Sequence, residues 1–140
     1  MGMLVCIEVP QVMPNSDWFV DEALRVLRPG GLLVSTFFNL FSYRGFLAHA
    51  TASLRGEYDY YRFAYPAWRR MLRERGFTFQ HEEGFCWFPF RRASNSSLIP
   101  SFIAVEEYLG MRRLVSLSPW VVFVAQKSDD RTTELGNSSA

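Results

Sequence analysis

The feature that most constrains this chain is a pair of unbroken apolar runs joined by one helical stretch and a proline-glycine-glycine turn. Met3-Leu4-Val5-Cys6-Ile7-Glu8-Val9 does not alternate with polar residues. Such a run suits a strand buried on both faces, as in a parallel sheet. Residues 10–16 hold two prolines, an Asn and a Ser, and break it. Ser16 is placed to cap a helix, with Asp17 favourable in the first turn. Val20, Ala23, Leu24 and Leu27 then recur at helical spacing, and Arg25 and Arg28 lie at the end that favours cations. Pro29-Gly30-Gly31 stops the helix, and Leu32-Leu33-Val34-Ser35-Thr36-Phe37-Phe38 reads as a second strand. Strand, helix and strand with short connections predict a parallel pair with a right-handed crossover.

The remainder continues the alternation of strand and helix. Residues 41–54 predict a helix interrupted by Gly45, and the aromatic stretch 58–63 a loop or short turn. Pro66 opens a further helix with Trp68, Met71 and Leu72 on its apolar face, and Gly76 closes it. Residues 77–87 suit a strand and 91–97 a polar loop. Residues 100–111 suit a helix with Phe102, Ile103, Val105, Tyr108 and Leu109 available for packing. Trp120-Val121-Val122-Phe123-Val124-Ala125 is a final buried strand. The expected domain covers 1–127, and the polar tail 128–140 is expected to be disordered. The fold class is therefore α/β.

Composition removes several classes of function. The 140 residues carry a formal charge of +1, with 49% apolar and 16% aromatic residues, which excludes disorder of the whole. No stretch of about 18 residues is free of charge, so no membrane span is expected. No basic-then-apolar leader opens the chain, and a cytoplasmic location is the expectation. Of 15 basic residues 14 are Arg, scattered among acids, whereas a nucleic-acid partner wants a clustered stripe. Cys6 and Cys86 make neither a disulfide framework nor a zinc spacing, so no metal is expected.

Taken in series, Cys6-Ile7-Glu8-Val9, then Glu22-Ala23-Leu24-Arg25-Val26-Leu27-Arg28-Pro29-Gly30-Gly31-Leu32-Leu33-Val34, resemble the second half of a class I S-adenosylmethionine-dependent methyltransferase of the small-molecule type. Arg73-Glu74-Arg75-Gly76-Phe77 resembles the approach to that family's sixth strand. Ser118-Pro119-Trp120-Val121-Val122-Phe123-Val124-Ala125-Gln126-Lys127 resembles its closing seventh strand. The resemblance implies a partial Rossmann-like methyltransferase fold, holding the fourth to seventh strands and lacking the N-terminal cofactor-binding half. It departs from the family in three ways. No Gly-x-Gly turn occurs, Val12 stands where the family often has His, and Pro10 replaces an aliphatic residue. With the fourth strand at an open edge, the chain is expected to be inactive alone, and a second chain that completes the sheet is a candidate partner.

The same resemblance implies S-adenosylmethionine as cofactor, a small acceptor, and Cys6, Ile7, Glu8, Val9 and Val12 beside the cofactor. Ligands in open α/β sheets gather at the carboxyl ends of strands. Glu8 alternatively bonds local amides or an arginine, and Cys6 alternatively is a small buried residue. Asn39, Tyr43 and Arg44 after the second strand, and Tyr61 and Arg62 as a lid, are candidates for the acceptor side. Their alternative is that they cover the sheet. No catalytic residue is assigned, because methyl transfer is largely a matter of positioning. The abundance of aromatics points to a hydrophobic or planar acceptor. The competing reading is a non-enzymatic interaction module that pairs through its exposed strand.

Overall fold

The computed structural model describes residues 1–9, 15–56, 63–88, 90 and 95–129. Val12, the aromatic stretch 58–62 with Tyr61 and Arg62, the Arg91-Arg92 pair and the tail beyond Asp129 lie outside the described residues. The elements follow in the order β1 (Met3–Cys6), α1 (Ser16–Val26), β2 (Leu32–Phe38), α2 (Tyr43–Arg55), α3 (Tyr65–Glu74), β3 (Phe77–Phe85), α4 (Ile99–Tyr108), a 3-10 turn (Met111–Arg113) and β4 (Trp120–Lys127).

These strands form one mixed sheet in the order β1-β2-β4-β3. β1 and β2 pair in parallel, with Val5 opposite Val34. β4 inserts antiparallel between β2 and β3, with Val34 opposite Val124 and Phe37 opposite Val121. β3 slips register between Phe79 and His81, which bends it as a bulge does. A parallel pair needs a crossover, and α1 supplies it.

Several local readings change. Asn15 rather than Ser16 caps α1: its Oδ1 accepts the Trp18 backbone N–H at 3.0 Å. The residue one place earlier reaches the third orphan amide of the helix. β1 ends at Cys6 instead of running to Val9, because the chain turns out of the sheet at Glu8, whose φ is 58°. Nor is β1 buried on both faces: Met3 and Val5 are 53% and 57% exposed at the open edge of the sheet. Gly45 does not interrupt α2. A Cβ there would lie 2.7 Å from Leu40 Cα, so the glycine lets the helix pass close over the chain leaving β2. The apolar residues of α4 do not all pack. Phe102 sits between Phe88 and Phe90, while Ile103, Val105, Tyr108 and Leu109 are exposed.

The core lies on one face of the sheet. α1 contributes Phe19, Val20 and Ala23, and α3 contributes Tyr65, Trp68 and Leu72. They meet Leu33 and Phe37 of β2 and Val121 and Phe123 of β4. Trp68 stacks on Phe37 at 5.6 Å and tilts against Phe19 at 5.8 Å, joining both helices to the sheet. Arg75 at the end of α3 binds Asp17 and Asp21 of α1. Lys127, the only lysine, donates to the Leu24 and Leu27 carbonyls at 2.8 and 3.1 Å and so caps the C-terminus of α1. On the opposite face Val34, Thr36, Val122 and Val124 are half-buried. No described helix is long and apolar enough to cross a membrane.

Tyr65 Oη donates to Glu82 at 2.8 Å, and Arg69 holds the other oxygen of that carboxylate at 2.6 Å. Burial, then the Glu82 hydrogen bond, pushes the Tyr65 phenol far above the ordinary tyrosine range. Burial moves Tyr43, Cys6 and Cys86 in the same direction. A raised folded-state value means stability that is complete below the unfolded value and lost as pH rises. Thermal midpoints measured across alkaline pH are expected to fall from about pH 8.5 upward, most steeply above about pH 10. Tyr65→Phe is expected to flatten the upper part of that slope. Gly45→Ala is expected to cost about 2 kcal/mol in urea unfolding, as an overpacked methyl against backbone does.

Candidate functional site

The carboxyl ends of the parallel strands β1 and β2 lie side by side, and four of the sequence-identified positions stand there at the end of β1. The Cys6 carbonyl accepts the Ser35 hydroxyl at 2.7 Å. Two residues on, the Glu8 backbone N–H donates to Thr36 Oγ1 at 2.9 Å. These two hydroxyls of β2 pin the chain as it leaves β1. Between them Glu8 adopts the left-handed backbone, a conformation that costs a non-glycine residue about 1 kcal/mol. Ile7 is 57% exposed, and Val9 packs partly against the core. Cys6 is partly buried, and burial pushes its thiol up, away from the reactive thiolate. Cys6, Ile7, Glu8 and Val9 therefore form one strained corner.

The end of β2 is organised by Asn39, which is fully buried. Its Nδ2 donates to the Ser116 and Ser118 carbonyls at 2.9 and 3.1 Å. Its Oδ1 accepts the Phe41 and Tyr65 backbone N–H groups at 3.1 and 3.0 Å. Two donor hydrogens and two lone pairs are all an amide has, so Asn39 keeps none for an acceptor molecule. It is a fold-holding residue beneath the site. Ser42 then caps α2, accepting Gly45 N–H at 2.9 Å while donating to the Asn39 carbonyl at 2.7 Å.

Tyr43 and Arg44 open α2 and face the segment that follows β3. Tyr43 Oη donates to the Trp87 carbonyl at 2.5 Å. Arg44 reaches the Cys86, Phe88 and Phe90 carbonyls, each at 3.4 Å. From the far side the buried Glu106 accepts the Trp87 backbone N–H at 2.9 Å. Beside Tyr43 an open, mainly apolar groove of about 410 Å³ is lined by Leu40, Phe41, Ser42, Tyr43, Phe46 and His49. Asn39 and Tyr43 are thus linked through the short segment between β2 and α2, whereas the corner at Glu8 is held separately through Ser35 and Thr36.

Sequence reasoning did not single out Ser35, Thr36, Trp87 or Glu106. Two adjacent hydroxyls inside an otherwise aliphatic strand were the available signal for the first two. Nothing local marks Glu106 as buried, since its partner is nineteen positions away. Among the described residues no group of His, Cys, Asp and Glu could hold a metal ion.

The described residues do not by themselves form a cradle for S-adenosylmethionine. Gly30 and Gly31 lie before β2, at its amino end, and Gly45 is packed against Leu40. None supplies an open glycine turn at the carboxyl end of a parallel strand.

No protein-family profile and no curated protein matches this chain. Among solved structures it is similar to a SAM-dependent methyltransferase, possible histamine N-methyltransferase, from Thermotoga maritima, with a TM-score of 0.58 at 14% identity. The match covers 91% of this chain and 56% of that one, so this chain spans little more than half the length of its structural neighbour. The shared feature is the fold: a mixed α/β arrangement of the Rossmann-like methyltransferase kind.

Asn39→Ala is expected to cost about 3 kcal/mol, because it strands the buried Tyr65 N–H and Ser118 carbonyl together with the part-buried Phe41 N–H and Ser116 carbonyl. Tyr43→Phe, at an exposed single bond, is expected to cost under about 1 kcal/mol. Urea unfolding of the two variants checks the contrast.

Proposed function

We propose that these residues are the later part of an S-adenosylmethionine-dependent methyltransferase domain acting on a small, hydrophobic or aromatic acceptor. The single observation that carries the reading is the pinned left-handed corner at Glu8, set at the carboxyl end of β1 next to β2. Strain of this kind persists where the surroundings over-determine it, and it clusters at ligand sites. The strand order and the Thermotoga neighbour support the same assignment. In this reading β1, β2, β3 and β4 stand for the family's fourth, fifth, sixth and seventh strands.

Cys6, Ile7, Glu8 and Val9, with Val12 after them, form the cofactor side. Tyr43 and Arg44, with Tyr61 and Arg62, form the acceptor side around the apolar groove, and Asn39 holds the floor. The glycine-rich wall comes from a further segment or a second chain pairing with the open edge of β1. Without it the chain is inactive. The alternative, an interaction module without catalysis, is favoured by the same exposed edge, where Met3 and Val5 stand open.

Calorimetric titration with S-adenosylhomocysteine separates these readings. The chain by itself is expected to give no heat of binding while remaining folded. Micromolar binding would show that the site is complete and overturn the incompleteness. A longer chain bearing a glycine-rich strand-turn-helix segment ahead of Met1 is expected to bind. If such a chain folds and still does not bind, the methyltransferase reading fails.

A further inference from the structure

We infer that the peptide between Cys86 and Trp87 is a latch that couples α4 to α2, with Glu106 acting through it as a positioning residue for Arg44 and Tyr43 beside the apolar groove. The inference does not depend on the methyltransferase reading. It starts from where this peptide lies. β1 and β2 run in parallel, and β4 is antiparallel to both β2 and β3. β3 therefore runs with β1 and β2, and the carboxyl ends of all three share one rim of the sheet. Cys86 directly follows β3 on that rim. Its φ is 62°, and it shares the left-handed region only with Glu8 among the described non-glycine residues. A strained backbone persists where its surroundings over-determine it.

The surroundings of Cys86 come from two helices. Arg44 at the start of α2 donates to the Cys86 carbonyl at 3.4 Å, and Glu106 of α4 accepts the Trp87 N–H at 2.9 Å. These are the two ends of one amide. A guanidinium stands at the oxygen end of the peptide dipole and a carboxylate at the hydrogen end. The Arg44 bond is long, yet each charge polarises the amide in the sense that strengthens the other's bond. Tyr43 grips the following carbonyl, that of Trp87, at 2.5 Å, and Phe102 of α4 packs on Phe88 at 4.4 Å. Both helices therefore hold the same short segment.

Elsewhere neither helix is deeply seated. The buried residue of α2 is Gly45, and that of α4 is Glu106 itself. A helix whose buried side chain is a carboxylate has its seat where that carboxylate is bonded. The other tie of α4, Glu107 to Arg112 at 2.9 Å, lies nearer the surface, where ion pairs contribute little. Tyr43 also lines the groove of about 410 Å³, so the seating of α4 sets the position of a groove wall. Coupling of this kind is reciprocal: what loosens α4 loosens the start of α2, and the reverse.

The test is hydrogen exchange of the whole chain, read residue by residue by NMR. Glu106→Ala keeps the helix propensity of α4. It is expected to speed exchange of the Phe46 amide, which bonds the Ser42 carbonyl in the first turn of α2, on the order of ten-fold, as loss of a charge-assisted hydrogen bond does. Arg44→Met is expected to speed the Leu109 amide, bonded to the Val105 carbonyl in α4, by a similar factor. The Val34 and Val124 amides inside the sheet are expected to keep their protection in both variants. Glu106→Gln retains an acceptor oxygen and is expected to restore most of the Phe46 protection. In the double variant the two effects at Phe46 are expected to fall short of adding. The inference is overturned if each substitution loosens only its own helix, or if the two effects add. Where Glu106→Ala also strips protection from the sheet, Arg44→Met read at Leu109 decides between the same two outcomes.

Discussion

The buried amide of Asn39 is the interaction on which the rest of the molecule depends. It lies one residue beyond β2 and bonds at once to the start of α3 and to the loop that enters β4. Those three segments are far apart in sequence. By occupying both lone pairs and both hydrogens it sets where β2 ends, where α2 begins and where β4 enters the sheet. Buried polar groups that are fully satisfied specify a unique arrangement, because a half-satisfied alternative is costly. The same completeness removes Asn39 from direct contact with a ligand.

Around that point the molecule is asymmetric. One face of the sheet is closed by α1 and α3 over a dense aromatic core. The edge of β1 is open and the opposite face is half-buried, and α2 and α4 are held mainly by narrow contacts. An apolar edge strand presents unpaired backbone groups, a liability unless something pairs with it. The strained Glu8 corner sits at this open side. The structural neighbour, of which this chain spans 56%, has a comparable fold within a longer protein.

Much of this was legible from the residues. The Pro29-Gly30-Gly31 turn, with Gly30 at φ 71°, separates α1 from β2 as the sequence indicates, and β2 spans residues 32–38 as read. The parallel pairing of β1 with β2 follows from the short helical connection between them. What misled was local composition. Gly45 reads as a helix interruption, yet its lack of a side chain serves a close approach to Leu40 that only the folded chain defines. The aliphatic run at residues 3–9 reads as buried on both faces, yet burial depends on neighbours that no local pattern reports. Asn39 reads as a polar residue after a strand, a position equally suited to ligand contact and to structural bonding.

The sequence by itself therefore determined the order of elements and the parallel β1-β2 unit, because periodicity, proline and glycine act over a few residues. Only the tertiary structure decided that β4 inserts between β2 and β3, that Ser35 and Thr36 hold the Glu8 corner, and that Glu106 meets Trp87. Those contacts join residues separated by between nineteen and nearly one hundred positions. Their energies come from burial and from hydrogen-bond partners brought together by folding, and neither is written in the spacing of residues along the chain.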